Sequence, residues 1–313
     1  MKNKHLHITL LGIAIAMILS ACASLTSTPD TVTIKPTTAM PGGRLIFSRF
    51  IEATHTFTGM FVSRSNGSDE IAVPLPGPEG GGRWSRSGTL IAVMTVLSDQ
   101  RIGTAIISTD GTVLRVFEIP DATLNVSCTI WSSDDTRLAC EAWDDADPSR
   151  DGIYTVRASD GGDLKRLTNP PDGMKDLPGD FSPTGQLIFK RHTGDEGNGP
   201  LMLVDANGGE PQLFYSGMVE DPGRFTSDGQ LVVTSMNGNL LVIKLDSTIV
   251  HEITVDGKYL FGPTWSPDGT RIAFSMTTTG DAFSDVYTSM PDGTDRQQVT
   301  QTTDNEIGVD WGR

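Results

Sequence analysis

Five stretches of this chain repeat one nine-residue pattern, and that repetition limits the possible folds more than any other feature. Trp84-Ser-Arg-Ser-Gly-Thr-Leu-Ile-Ala92 is followed by Trp131-Ser-Ser-Asp-Asp-Thr-Arg-Leu-Ala139, Phe181-Ser-Pro-Thr-Gly-Gln-Leu-Ile-Phe189 and Phe225-Thr-Ser-Asp-Gly-Gln-Leu-Val-Val233. Trp265-Ser-Pro-Asp-Gly-Thr-Arg-Ile-Ala273 is the cleanest copy. Asp310-Trp311-Gly312-Arg313 places a further anchor where the next copy is due, so the aromatic residues recur every 40 to 50 positions.

Each copy has the chemistry of a tight hairpin. An aromatic residue ends one strand, and a Ser/Pro/Asp/Gly group supplies side-chain acceptors and a residue tolerant of positive φ. A short aliphatic strand then returns. Thr109-Asp110-Gly111, Ser159-Asp160-Gly161, Ala206-Asn207-Gly208 and Pro291-Asp292-Gly293 mark a second hairpin in most units. Each unit therefore holds about four short antiparallel strands, and no sustained helical period follows residue 22.

Four-stranded units repeated at this spacing are propeller blades, which bury their faces only by packing side by side around an axis. The ends of the repeat array show how the ring closes. Gly43–Phe50 reads as a return strand without its aromatic strand, and Ile307–Trp311 as an aromatic strand without its return. Paired, they complete one blade and remove the open edge. The expected fold is an all-β, six-bladed propeller of four-stranded antiparallel blades, closed by its N- and C-terminal strands.

The segment Trp-Ser-Pro-Asp-Gly-Thr-Arg-Ile-Ala-Phe at 265–274 resembles the repeat of TolB-like propellers, and the resemblance extends over essentially everything after residue 42. It implies the fold and an exported protein. It does not extend to the separate α/β domain that precedes the TolB propeller, because only a tether stands in that place here.

The first residues read as a targeting signal. Lys2 and Lys4 precede an apolar stretch from Ile8 to Leu19, too short to span a bilayer comfortably. It ends in Leu19-Ser20-Ala21-Cys22, which resembles the lipobox of bacterial lipoproteins, so residues 1–21 are the expected signal peptide and Cys22 the lipidated residue. Residues 22–41, rich in Thr, Ser and Pro, bury too little apolar surface to order themselves and read as a tether. Residues 42–313 are the propeller. The expected location is extracytoplasmic and membrane-anchored.

The formal net charge of −15 argues against a phosphate-backbone partner, since such binding needs clustered Lys and Arg. No nucleic-acid partner is expected. Nor does charge draw such a chain to anionic lipid.

Trp84, Trp131, Trp265 and Trp311 sit at the same repeat position and read as packing anchors. Trp143 lies outside the pattern and is the tryptophan available for a surface contact. Beside it, Asp144, Asp145, Asp147 and Asp151 concentrate carboxylates in one loop, which reads as a solvated acidic loop and not as a calcium site, because its glycine is misplaced. His55, His192 and His251 fall in three different blades without metal-ligand spacing, so no metal is expected. Cys128 and Cys140 flank the Trp131 hairpin. If Trp131 pairs with Arg137, Ile130 faces Leu138 and the cysteines face each other within disulfide reach; two small buried thiols are the alternative.

No Gly-x-Ser-x-Gly elbow and no phosphate-binding glycine loop occurs, so no cofactor is expected. The expected function is non-catalytic recognition of a protein or glycan partner through rim loops, at Glu52–Thr58, Trp143–Arg150 and Thr193–Asn198. A glycan-active lyase or hydrolase with its site at the propeller mouth is the alternative. The two differ in whether acidic and histidine side chains converge at that mouth.

Overall fold

A computed structural model describes residues 43–313 except 52, 53, 55, 76–80, 118, 120, 122, 195, 196 and 279–282. Cys22, the signal and the tether lie outside the described residues, as do Glu52, Ala53, His55, Asp195 and Glu196 of the rim loops.

Among the described residues, twenty-four strands form six antiparallel sheets of four. Blade I holds β1 (Arg44–Ile51), β2 (Thr56–Arg64), β3 (Ile71–Val73) and, from the far end of the chain, β24 (Asn305–Gly312). Blade II is β4 (Gly82–Trp84) to β7 (Val113–Phe117), with β5 (Leu90–Val96) and β6 (Ile102–Ser108) between them. Blade III comprises β8 (Asn125–Trp131), β9 (Arg137–Trp143), β10 (Gly152–Arg157) and β11 (Lys165–Arg166). Blade IV comprises β12 (Met174–Phe181), β13 (Gln186–Thr193), β14 (Gly199–Asp205) and β15 (Gln212–Val219). Blade V is β16 (Arg224–Phe225), β17 (Leu231–Met236), β18 (Asn239–Lys244) and β19 (Ile249–Ile253). Blade VI is β20 (Lys258–Trp265), β21 (Ile272–Thr278), β22 (Ser284–Ser289) and β23 (Gln297–Gln298). The first strands β4, β8, β12, β16, β20 and β24 touch one another in that order around the axis.

The core is not a single mass. Six apolar clusters each lie between two neighbouring blades. Because successive side chains of a strand point to opposite faces, one strand serves two clusters. On β5, Ile91 and Val93 pack against blade I while Ala92 packs against blade III. On β13, Leu187 and Phe189 face blade III while Ile188 faces blade V. Burial on both faces explains why the return strands read as unbroken aliphatic runs instead of alternating ones.

The seam is where the repeat predicts it. Leu45 pairs with Trp311 and Arg49 with Glu306 across β1 and β24. Glu306 is fully buried and accepts from Arg49 Nε at 2.8 Å, from Thr302 at 2.6 Å and from Thr300 at 3.0 Å. Burial raises its carboxyl above the usual range despite these donors. Arg49 also lies over the Phe61 ring at 4.1 Å, so one guanidinium ties three strands of blade I together.

One detail of register differs from expectation. Trp131 pairs with Leu138, not Arg137, and Ile130 pairs with Ala139. The Ser132 amide donates to the Arg137 carbonyl at 2.9 Å, closing the hairpin one residue tighter. A bulge between Cys128 and Ile130 absorbs the offset, so Cys128 still stands opposite Cys140, with the two sulfurs bonded at 2.09 Å.

Candidate functional site

The repeated hairpins all emerge at one end of the ring, here called the turn face. In each, the hydroxyl after the aromatic anchor accepts the returning amide: Ser132 from Arg137 at 2.9 Å, Thr226 from Leu231 at 3.1 Å, Ser266 from Arg271 at 2.9 Å. The same hydroxyls donate to Asp134, Asp228 and Asp268 at 2.6 to 2.7 Å. Those bonds hold the Asp134 and Asp228 carboxyls below the usual range. The turn needs a left-handed residue, supplied by Gly269 (φ 70°) in blade VI and by Asp135 (φ 59°) in blade III. Asp135 gains a use that glycine lacks: its carboxylate accepts the Arg86 and Ser87 amides of blade II at 2.7 and 2.9 Å.

Much of the acidity is therefore structural. In the outer hairpins, Asp110, Asp160, Asp205, Asp246 and Asp292 each accept a backbone amide two residues on.

At the centre of this face the anchors ring a cavity of about 180 Å³. The residue before each anchor faces it, giving the order Asp310, Arg83, Ile130, Asp180, Arg224, Thr264 around the axis. Asp310 and Asp180 occupy opposite positions and play the same part. Asp310 accepts the Trp84 amide at 2.8 Å, and Asp180 accepts the Phe225 amide at 3.0 Å, each from the first strand of the next blade. Those strands, β4 and β16, are the two shortest of the inner ring. Asp180 also receives its own neighbour's amide, Phe181, at 2.9 Å and pairs with Arg86. Trp131 and Trp265 repeat the symmetry, their indole N–H groups donating to the carbonyls of Arg83 and Arg224 at 3.1 Å. Two aspartates thus converge at this mouth with no histidine among its lining residues, and both serve as capping groups for the ring.

The three rim loops named from the sequence join the second and third strands of blades I, III and IV, which brings them to the opposite end, the loop face. Trp143 is half-buried there, opposite Asn125. Asp145 and Asp147 are exposed. Asp144 is different, being only 4% exposed. It accepts from Thr123 at 2.6 Å, from the Ala146 amide at 2.9 Å and from Arg150 at 2.6 Å, and the Thr123 bond first holds its carboxyl below the usual range. The loop is thus not simply a solvated acidic one, because Asp144 is an internal clasp. Arg166, which donates to the Ser149 carbonyl at 2.9 Å, holds the other side.

His192 and His251 stand on β13 and β19. Burial lowers the His192 imidazole below its ordinary value, and its Nδ1 lies 2.9 Å from the Thr193 carbonyl. Sequence reasoning missed a polar group near the loop face. Lys190, 5% exposed, donates to the Glu220 carbonyl at 2.5 Å, and Tyr259 donates to Glu220 Oε1 at 2.5 Å. Glu141, on β9, is pushed up to about 7 by burial, against the pull of Lys175 and Lys190. No local motif marks these residues, which blades III to VI bring together. The turn-face ring was missed as well: its residues stand one position before each anchor, but nothing local shows that they face a common cavity.

No protein-family model matches the sequence, and no curated protein matches it. Among solved structures, TolB from Acinetobacter baumannii superposes with a TM-score of 0.64 at 18% identity, over 86% of this chain and 66% of that one. A TolB candidate from Agrobacterium tumefaciens gives 0.61 at 14%, over 87% and 99%. An oligogalacturonate lyase in complex with manganese gives 0.50 at 14%, over 84% and 75%. The fold is a TolB-like six-bladed β-propeller. At such identities the likeness carries the fold and nothing finer.

Proposed function

We propose that this protein is a non-catalytic recognition module, lipidated at Cys22 and displayed outside the cytoplasm, which binds a protein or glycan partner through its loop face. The observation that supports this most is the state of the two mouth aspartates. A general acid and base need carboxylates free to exchange protons with substrate. Asp180 and Asp310 instead accept backbone amides from the neighbouring blade. The rigid ring presents the Trp143 loop, with exposed Asp145 and Asp147, on a face clear of the repeated hairpins. The tether expected of residues 22–41 would let such a ring search its surroundings.

Two experiments test the reading. Cys22→Ala should abolish palmitate labelling and release the protein from the membrane fraction. Photo-crosslinking groups placed at Trp143 and at Ser133 should capture a partner only from Trp143. Turnover of envelope glycans or peptides by the purified protein would promote the enzyme reading, with Glu141 the first residue to test.

A further inference from the structure

We infer that the cavity at the centre of the turn face binds a small oxyanion, a carboxylate or a phosphate, between the guanidinium groups of Arg83 and Arg224. The two arginines hold equivalent positions in blades II and V, each one residue before its anchor and three blades apart across the ring. The charged side chains lining the cavity are Arg83, Arg86, Arg224, Arg313, Asp180 and Asp310, four cations against two anions.

The local acceptors do not meet the donors. Arg83 uses one nitrogen, Nη1, on the carbonyls of Gly308 at 3.1 Å and of Val309 and Gly82 at 3.4 Å. Its Nε and Nη2 have no acceptor among the described residues. The only charged partner of Arg224 among those residues is Asp310, with Nη2 3.9 Å from Oδ1, beyond hydrogen-bond reach. The aspartates have other work: Asp180 takes Arg86 and two amides, and Asp310 takes the Trp84 amide and the Thr264 hydroxyl at 3.3 Å.

Half-buried guanidinium groups left with unused planar donors favour a planar or tetrahedral oxyanion, which two forks grip together. Burial, and after it the positive charge of Arg224, pulls the Arg83 guanidinium down to about 10, against Asp310, Asp221 and Asp180. An anion between the two arginines relieves both effects. At about 180 Å³ the cavity is smaller than the roughly 300 Å³ at which pockets for drug-sized ligands begin, so it suits a small group and not a sugar chain. The site opens on the face opposite the rim loops and stands independently of the partner-binding reading.

The test uses the full chain in a neutral detergent. Its melting temperature is followed against inorganic phosphate and, separately, acetate, with ionic strength matched by chloride. A saturable rise with either anion is expected, and the anion that saturates first identifies the preferred chemistry. The half-saturating concentration should increase at least about ten-fold, the effect of losing roughly 1.4 kcal/mol of binding, in Arg83→Gln and in Arg224→Gln. It should stay unchanged in Arg157→Gln, an outer-hairpin arginine paired with Asp160. If a variant fails to fold, crystals of the unaltered chain soaked in selenate should show an anomalous peak between Arg83 and Arg224. No saturable rise with either anion, an equal response in all variants, or anomalous peaks only elsewhere would overturn the inference.

Discussion

The two ends of the ring are built by different rules. On the turn face one hairpin recurs, with a hydroxyl that accepts the returning amide in blade after blade and, in blades III, V and VI, a carboxylate that accepts from that hydroxyl. On the loop face the connections diverge. Blade V turns from β17 to β18 through Asn237-Gly238 alone, both at positive φ, while blade III runs from Trp143 to Gly152 through a loop clasped by Asp144 and Arg150. Repetition builds a scaffold because identical blades need identical joints. Divergence at the other end leaves room for recognition, because those loops bear less of the ring's packing.

The largest effect should come from breaking the ring itself. Deleting residues 307–313 removes most of β24, including Trp311, which is 8% exposed. Loss of one such indole costs about 3–5 kcal/mol, and the lost pairing with β1 adds to it. Thermal unfolding followed by circular dichroism should show the whole domain destabilised on both faces. A melt unchanged from the intact chain would place the seam elsewhere.

Next is the Cys128–Cys140 link, which joins the two strands running up to the Trp143 loop. Replacing both with Ala should cost about 2–4 kcal/mol in protein recovered from its own compartment. Two free thiols in that protein by mass spectrometry would show that the bridge does not form there.

The contrast between faces is sharpened by four aspartates. Asp310→Ala leaves the Trp84 amide unsatisfied on the turn face and should cost about 1–3 kcal/mol. Asp144→Ala should also lower the melting temperature, since its carboxylate is internal. Charge reversal at Asp145 should leave the melting temperature unchanged while weakening partner binding and its salt dependence, whereas reversal at Asp147 also removes the acceptor of the Ser149 amide and hydroxyl. Equal destabilisation by Asp145 and Asp310 substitutions would erase the distinction.

The smallest effect is one of pH. Glu141 titrates near 7 in the folded chain against an ordinary 4.5, so folding tightens its proton. The stability this contributes is complete below pH 4.5 and is lost as pH rises through 7. Between pH 5 and pH 8 the native chain should therefore lose more melting temperature than Glu141→Gln. Parallel profiles would mean that Glu141 is solvated.

The sequence by itself determined the architecture. Anchor spacing and hairpin chemistry are local signals that recur from blade to blade, repetition averages out the errors of any one copy, and the incomplete units at the two ends mark the split blade. Even the slip at Trp131 left Cys128 opposite Cys140, because a bulge restores what the hairpin shifts. Tertiary structure alone decided which charges are spoken for. Asp144 looked like its neighbours Asp145 and Asp147 in sequence, yet it is buried because Thr123 and Arg150 close over it. Arg83, Arg224, Asp180 and Asp310 are separated by up to 227 positions along the chain and meet only because the ring closes. Apart from the β1–β24 seam, strand pairing joins residues near in sequence, whereas an ionic group takes its environment from whichever blade the closed ring places beside it.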